Sequence, residues 1–358
     1  MVIRSLGLAD FRNYPRLELE LGEGVHFFYG SNGQGKTNLL EALYLLTHLR
    51  SYRTQRLRPL IREESVAAKI KGKVFTRGVD HKVELELFGQ AKRVLLDQKP
   101  LSLSSEYIQR FFSILFAPDQ LSHFKETPAE RRSFFDRALC LLEPGYFGRL
   151  KEYERIKAQK NQLLRDKKFK ELGLWNEFMA QAIPPLVEAR QALTGEINQR
   201  LEGYFQAFSK AKGPLHLGYK PDLDFLDPQE VSKELQEKRP QEETQGFCGT
   251  GPHKDNYLMT MGPKRDRFNF SQGEYRTAFL ALLFSLNQIF AERLDYRPLL
   301  LLDDLFSELD PEVSRSLVKE IEGLKNQVFI TTTEVPHSFA DRGIRYRVNQ
   351  GLVTFAGN

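Results

Sequence analysis

Two cysteines are all that this 358-residue chain contains. Cys140 and Cys248 are not part of a CxxC pair, so the sequence carries no zinc or redox signature. No apolar run approaches the ~20 residues that span a bilayer. The opening residues, MVIRSLGLADFRNY, lack the apolar stretch of a secretory signal. With no export signal, two reduced thiols in a cytoplasmic setting are expected, and no membrane partner. Internal repeats and low-complexity tracts are missing. So are helix-turn-helix, finger and RNP-like patterns, which argues against base-specific readout of nucleic acid.

What is there describes a globular chain with 41% hydrophobic and 28% charged residues. The net charge of +5 mildly suits an acidic partner. Length alone allows one large domain or two to three smaller ones.

The first stretch alternates. VIRSLGLADF and LELELG read as strands joined by RNYP, and VHFFYG as a short apolar strand running into a glycine-rich turn. A helix is expected from Lys36 to Leu46, then hairpins from Val66 to Leu96. Near Phe124 the texture becomes helical. Thr127-Pro128-Ala129-Glu130 has the form of a capping box with proline in the first turn. Helical periodicity continues to Lys168 with a break at Pro144-Gly145, and again from Leu174 to Phe208 with a break at Pro184-Pro185. Pro214 to Gln245 reads as connectors and short helices. Strand texture returns at Tyr257–Met261 and in the tail from Leu299. The expected organisation is an α/β unit split by a helical insertion: residues 1–125, the insertion 126–240, and residues 241–358. Each half holds only part of a sheet, so the two should pack together.

GSNGQGKT, covering Gly30, Ser31, Asn32, Gly33, Gln34, Gly35, Lys36 and Thr37, fits GxxxxGK[ST] between a predicted strand and helix. Glycines there let backbone N–H groups curl around phosphates. Lys36 adds a point charge, and the Thr37 hydroxyl can ligate Mg2+. ATP and Mg2+ are the cofactors this motif calls for. LLLLDDLFSELD, from Leu299 to Asp310, is a buried strand ending in two carboxylates. Asp303 is assigned to the metal, and Asp304 to orienting or deprotonating an attacking water. VFITTT ends in hydroxyls, and Thr332 is assigned to sensing the terminal phosphate.

SQGEYRT opens a helix with Ser271 as N-cap and Glu274 closing a capping box. A serine and a glycine at a helix mouth offer donors to an anion. A helix mouth of this kind after a long helical insertion resembles the signature of ABC-type ATPases. The resemblance implies that Ser271 and Gly273, with Asp310, contact the nucleotide of a second subunit in an ATP-dependent homodimer. FRNY, GSNGQGKTNLLEALYLL, SYRT, GPHKD, SQGEYRT and LLLLDDLFSELD together resemble the RecF recombination-mediator family, in the family's order from Phe11 to Asp310. That resemblance implies a P-loop ABC-type ATPase head like that of SMC proteins, with a short helical arm. It also implies an ATP-dependent DNA-binding dimer at gapped DNA that works with RecR-type and RecO-type proteins and helps a recombinase load. Glu274 and Tyr275 stand where the family usually has glutamines, and Pro118-Asp119-Gln120 where it has Pro-Glu-Asp.

Two basic clusters are candidates for contact with a DNA backbone. One comprises Arg50, Arg53 and Arg56 and continues to Arg58 and Arg62; the other runs from Arg149 to Lys170, where Glu152 and Glu154 suggest pairing along a helix. Slow hydrolysis would time release from DNA. Two other readings stay open: the nucleotide-binding subunit of a transporter, and a scaffold that uses ATP without hydrolysing it.

Overall fold

The computed structural model describes residues 1–101, 107, 110–209, 213–262, 265–266, 270–294, 296–307, 309–339 and 343–357. The chain divides into two compact units. Unit 1 holds residues 1–122, 203–211 and 271–358, and unit 2 holds 123–202 and 212–270. The second unit therefore extends to Phe270, past the expected boundary at 240, and the chain belongs to unit 1 again over 203–211, a span that begins inside the helix Pro184–Phe208.

Unit 1 contains two six-stranded sheets. The first is antiparallel. It comprises β1 (Val2–Phe11), β2 (Tyr14–Glu20), β4 (Ala67–Thr76), β5 (Val79–Phe88), β6 (Ala91–Leu96) and β7 (Lys99–Pro100), in the order β2-β1-β4-β5-β6-β7. Alternation sets its register: Ile70, Val74, Val83, Leu85 and Leu87 are buried, while Lys69, Glu84 and Glu86 pair across strands on the other face.

The second sheet is mostly parallel. It joins β3 (Val25–Tyr29), β8 (Ser113–Phe116), β12 (Leu299–Leu302), β13 (Val328–Thr332), β14 (Ile344–Asn349) and β15 (Leu352–Gly357), in the order β15-β14-β3-β13-β12-β8. Strands from both ends of the chain alternate here, so neither half completes the sheet alone. Every residue of β12 and β13 is buried, as expected of parallel strands covered on both faces. Helix α1 (Lys36–His48) touches strands of both sheets. Its Leu39, Leu40, Leu43, Leu45 and Leu46 are fully buried, each contributing ~2 kcal/mol of apolar burial. Helix α2 (Pro118–Glu126) follows β8 and begins before the textural change at Phe124. Helix α8 (Gln272–Arg293) is buried nearly all round, and helix α9 (Pro311–Gly323) follows β12.

Unit 2 holds α3 (Pro128–Leu142), α4 (Tyr146–Arg165), α5 (Leu172–Ala182), most of α6 (Pro184–Phe208) and α7 (Pro228–Gln245), with a sheet of β9 (Leu215–Lys220), β10 (Asn256–Met261) and β11 (Arg265–Asp266). The breaks fall at Gly145 and Ile183, beside the expected prolines. Two local readings change. Thr127 is an N-cap residue, but its side chain makes no capping bond; Pro128 at the first helical position starts α3. The stretch 214–245 is a strand and an 18-residue helix rather than connectors. Only Val231 and Leu235 give α7 an apolar stripe; Asp227 caps its start and Gly246 ends it, a polar pattern that masks a helix.

Salt links tie unit 2 together. Arg190 is buried and bridges Asp255 at 2.6 Å and Asp136 at 2.9 Å. Tyr219 donates to Asp255, Tyr146 donates to Asp136, and the Asp222 amide donates to Asp255 at 2.8 Å. The GPHKD motif thus places Asp255 in a cross-linked polar core.

Candidate nucleotide site and its surroundings

The glycine-rich loop runs from the end of β3 into α1. Gly30, Gly33 and Gly35 have φ values of 145°, 79° and 111°. A Cβ on Gly30 would lie 2.4 Å from the Val348 carbonyl oxygen, and one on Gly35 would lie 2.5 Å from Asn13 Nδ2. Backbone and a fixed side chain occupy that space, so no other residue fits these two positions. The β1–β2 turn buttresses the loop: Asn13 Nδ2 donates to the Gln34 carbonyl at 3.1 Å and the Tyr14 hydroxyl to the Gly35 carbonyl at 2.9 Å. From the far side, the Gly351 amide also donates to the Gln34 carbonyl, at 3.2 Å. FRNY therefore shapes the loop. Lys36 Nζ donates to the carbonyls of Gly30 and Ser31 at 2.6 and 2.8 Å, across the loop it closes. Burial lowers its pKa, opposed by Asp304 and Asp303.

The loop meets the second sheet at one junction. Thr37 Oγ1 donates to Asp303 Oδ1 at 3.0 Å, and Thr331 Oγ1 donates to the same oxygen at 2.6 Å. Asp303 is buried at the end of β12, where its amide donates to the Phe116 carbonyl of β8. Burial raises its pKa, while the two threonine hydroxyls pull it down. The Tyr52 hydroxyl lies 3.4 Å from Asp303 Oδ2. Threonine hydroxyl and carboxylate are hard oxygen donors. Among the described residues no cluster of three or more His, Cys, Asp or Glu is placed to hold a metal. Such a sparse oxygen set fits Mg2+, which takes one or two protein ligands and completes its shell with phosphate and water.

Asp304 follows with φ of 49°, a left-handed conformation that costs a non-glycine residue ~1–2 kcal/mol. Three contacts hold it there. Its amide donates to Thr331 Oγ1 at 2.8 Å, its carbonyl accepts from Arg276 of α8 at 2.6 Å, and its carboxylate accepts from Ser307 at 2.8 Å. Arg276 also reaches the Leu305 carbonyl and lies over the Phe116 ring at 5.3 Å. The threonine assignment changes accordingly. Thr332 donates to the Glu334 carbonyl at 2.7 Å, and Thr331 is the residue at the carboxylates. Successive strand side chains point to opposite faces, so only one of the pair can reach Asp303. Thr331, Tyr52 and Arg276 were not singled out by the sequence, although all three lie inside its quoted motifs.

Ser271, Gly273 and Asp310 are exposed. The Ser271 hydroxyl accepts from the Glu274 amide at 3.2 Å, and the Glu274 carboxylate accepts from the Ser271 amide at 2.8 Å, which closes the expected capping box. Glu274 is thus folded back onto its own helix.

The first basic cluster separates into two kinds of residue. Arg53 donates to Asn38 at 2.8 Å and lies 3.3 Å from Glu41, a fully buried carboxylate that also takes a two-pronged bond from Arg12. Arg53 is itself exposed, so its expected contact with DNA would be made from a side chain already held by Asn38 and Glu41. Arg50 and Arg56 are exposed and form no ion pair among the described residues.

The model of the RecF/RecN/SMC N terminal domain matches residues 2–350. The DNA replication and repair protein RecF of Trichlorobacter lovleyi is 31% identical over all of this chain and 99% of its own length. This chain belongs to the RecF family. The RecF of Heliobacterium modesticaldum is 32% identical over 99% of both chains. A solved structure of the recombination mediator protein RecF with ATP superposes with a TM-score of 0.88, at 25% identity, over 99% of both chains. An SMC head bound to the C-winged helix domain of ScpA superposes with a TM-score of 0.61 at 15% identity, a likeness of fold. Family membership sets the transporter reading aside. Among the described residues no helix is long and apolar enough to cross a membrane.

Proposed function

We propose that this RecF-family chain binds ATP with Mg2+ at its phosphate loop and, as an ATP-dependent homodimer, holds duplex DNA beside gaps. Release would follow slow hydrolysis, in a pathway with RecR-type and RecO-type partners that helps a recombinase load. The observation that carries this reading is the Thr37–Asp303 hydrogen bond, which joins the loop to the carboxylate strand. The solved RecF with ATP supports the choice of nucleotide. Residues 30–37 would hold the phosphates, and Thr37 and Asp303 the cation. Mg2+, when bound, would neutralise charge on the transferring phosphoryl group. Asp304 would orient or accept a proton from the attacking water, its backbone fixed by Thr331 and Arg276. Ser271, Gly273 and Asp310 would meet the partner's nucleotide; their exposure supports this. Arg50 and Arg56 would follow the DNA backbone without reading bases.

The test is retention of duplex DNA by wild type and Lys36→Ala with ATP, ADP or no nucleotide. Retention by wild type with ATP alone, lost in the variant, is expected. Equal retention in all conditions would remove the nucleotide dependence from this reading.

A further inference from the structure

The second basic cluster is not uniform. Along α4, Arg155 pairs with Glu152 at 2.6 Å and Lys157 with Glu154 at 2.6 Å, and Lys160 is buried against Glu242. These charges are satisfied where they stand, the first two pairs at i,i+3 spacing along the helix. The turn after α4 differs. Lys167, Lys168 and Lys170 are exposed and form no ion pair among the described residues, and the adjacent Arg165 donates only to Gln162. Asp166 is the one carboxylate between them, and it accepts from Gln162 at 3.0 Å.

The turn has a fixed shape. The Lys168 amide donates to the Leu163 carbonyl at 2.9 Å and the Lys167 amide to the Leu164 carbonyl at 3.3 Å, the paired bonds of a Schellman cap. Lys167 takes the left-handed position with φ of 56°, where glycine is the least costly residue. A lysine therefore occupies a place that backbone geometry alone would give to glycine. On the helix that follows, α5, two large apolar side chains are exposed alongside Glu177 and Gln181. Leu174 is 55% exposed and Phe178, one turn on, is 44% exposed. Trp175, the only tryptophan of the chain, meets the Phe178 ring edge to face at 5.6 Å. A half-buried Trp175 and an exposed Phe178, a few residues along the chain from these unpaired cations, match the chemistry of unstacked bases on a phosphate backbone, since rings stack on any base and cations follow the phosphates.

We infer that the α4–α5 turn, with Trp175 and Phe178 beside Lys167, Lys168 and Lys170, is a binding surface for the unpaired bases of single-stranded DNA at a gap edge. This rests on the DNA-binding reading above and assigns the recognition of unpaired bases to residues outside the nucleotide site. Glu171 and Glu177 are also exposed on this stretch, so the attraction for phosphates would come from the lysines of the turn alone.

Because Trp175 is the only tryptophan, its emission reports this surface alone. The full chain with ATP is titrated with a gapped duplex and with a blunt duplex of the same length, and binding is followed separately by anisotropy of the labelled DNA. Trp175 emission should be quenched by the gapped duplex and barely changed by the blunt one. Phe178→Ala should weaken gapped-DNA binding by about tenfold and leave blunt-duplex binding unchanged. Replacing the three lysines with alanine should flatten the salt dependence of gapped-DNA binding. Unchanged emission while anisotropy shows the gapped duplex bound would overturn the inference, as would equal quenching by both duplexes. An emission change that depends on protein concentration without DNA would assign the patch to a protein contact and overturn it as well. If anisotropy shows no DNA binding by the wild type, the DNA-binding reading itself fails, and this surface with it.

Discussion

Thr331 and Asp303 share a 2.6 Å hydrogen bond, and the same threonine oxygen accepts the Asp304 amide at 2.8 Å. One hydroxyl therefore sets both carboxylate residues of the site. Thr331→Val should leave the Asp304 amide without its partner, at a cost of about 1–3 kcal/mol, and lower ATP turnover by about tenfold. Thr332→Val should change turnover little, because that hydroxyl serves the Glu334 carbonyl. Steady-state ATPase assays and thermal melts of both variants make the comparison; a larger turnover loss in the second would return the role to Thr332.

Asp304→Asn keeps the shape of the side chain and removes its charge. ATP binding should persist, hydrolysis should fall by 100-fold or more on the scale of general-base losses, and the complex with DNA should last longer. Nucleotide titration alongside single-turnover kinetics measures both. Hydrolysis at the wild-type rate would place the water-orienting group elsewhere.

Charge reversal should separate the first basic cluster. Arg50→Glu and Arg56→Glu should weaken duplex binding for all sequences alike and reduce its salt slope, with melting temperature unchanged. Arg53→Glu would set a carboxylate against the buried Glu41, and should lower the melting temperature by several degrees even without DNA. Salt titrations and melts of the three variants read this; a DNA defect without a stability defect for Arg53→Glu would restore it as a surface contact.

His26 lies fully buried in β3, stacked on Phe329 with ring centroids 4.9 Å apart, and burial lowers its pKa to about 4. The unfolded chain protonates this histidine near 6.5 and the folded chain only near 4. Stability from this residue is therefore complete above pH 6.5 and is lost as pH falls towards 4. The full loss is on the order of 3 kcal/mol. Asp255 and Asp303, whose pKa values burial raises, act in the opposite sense at the acid end of that window. Denaturant titrations at pH 7.5, 6 and 5 should show declining stability, and His26→Phe should flatten the decline. An unchanged slope in that variant would contradict the assignment.

Much of this was legible in the chain because local rules act over short spans. The phosphate loop, the apolar strand into Asp303 and Asp304, and the Ser271 cap each declare themselves within a dozen residues. What was not legible depends on distant partners. Nothing in FRNY says that Asn13 and Tyr14 brace a loop some twenty residues later. The choice between Thr331 and Thr332 depends on which face of β13 meets β12, and a run of three threonines does not reveal that face. Helix α7 buries only a narrow stripe, so its polar composition reads as a connector. Arg53 and Arg56 look alike in sequence and differ only because Glu41 is buried beside one of them.

The central claim is that ATP joins two copies of this chain through the exposed helix mouth at Ser271. Sedimentation velocity of wild type, Ser271→Arg and Lys36→Met, each with ATP, ADP or no nucleotide, tests it most directly. Wild type should sediment as a dimer with ATP alone. Ser271→Arg should bind ATP yet remain a monomer, because its side chain blocks the mouth and leaves Lys36 and the loop amides intact. Mixing it with Lys36→Met leaves one of the two composite sites intact, and partial dimerisation should return. A Ser271→Arg protein that dimerises normally with ATP would contradict the account and leave this stretch a capped helix with no role at a second nucleotide.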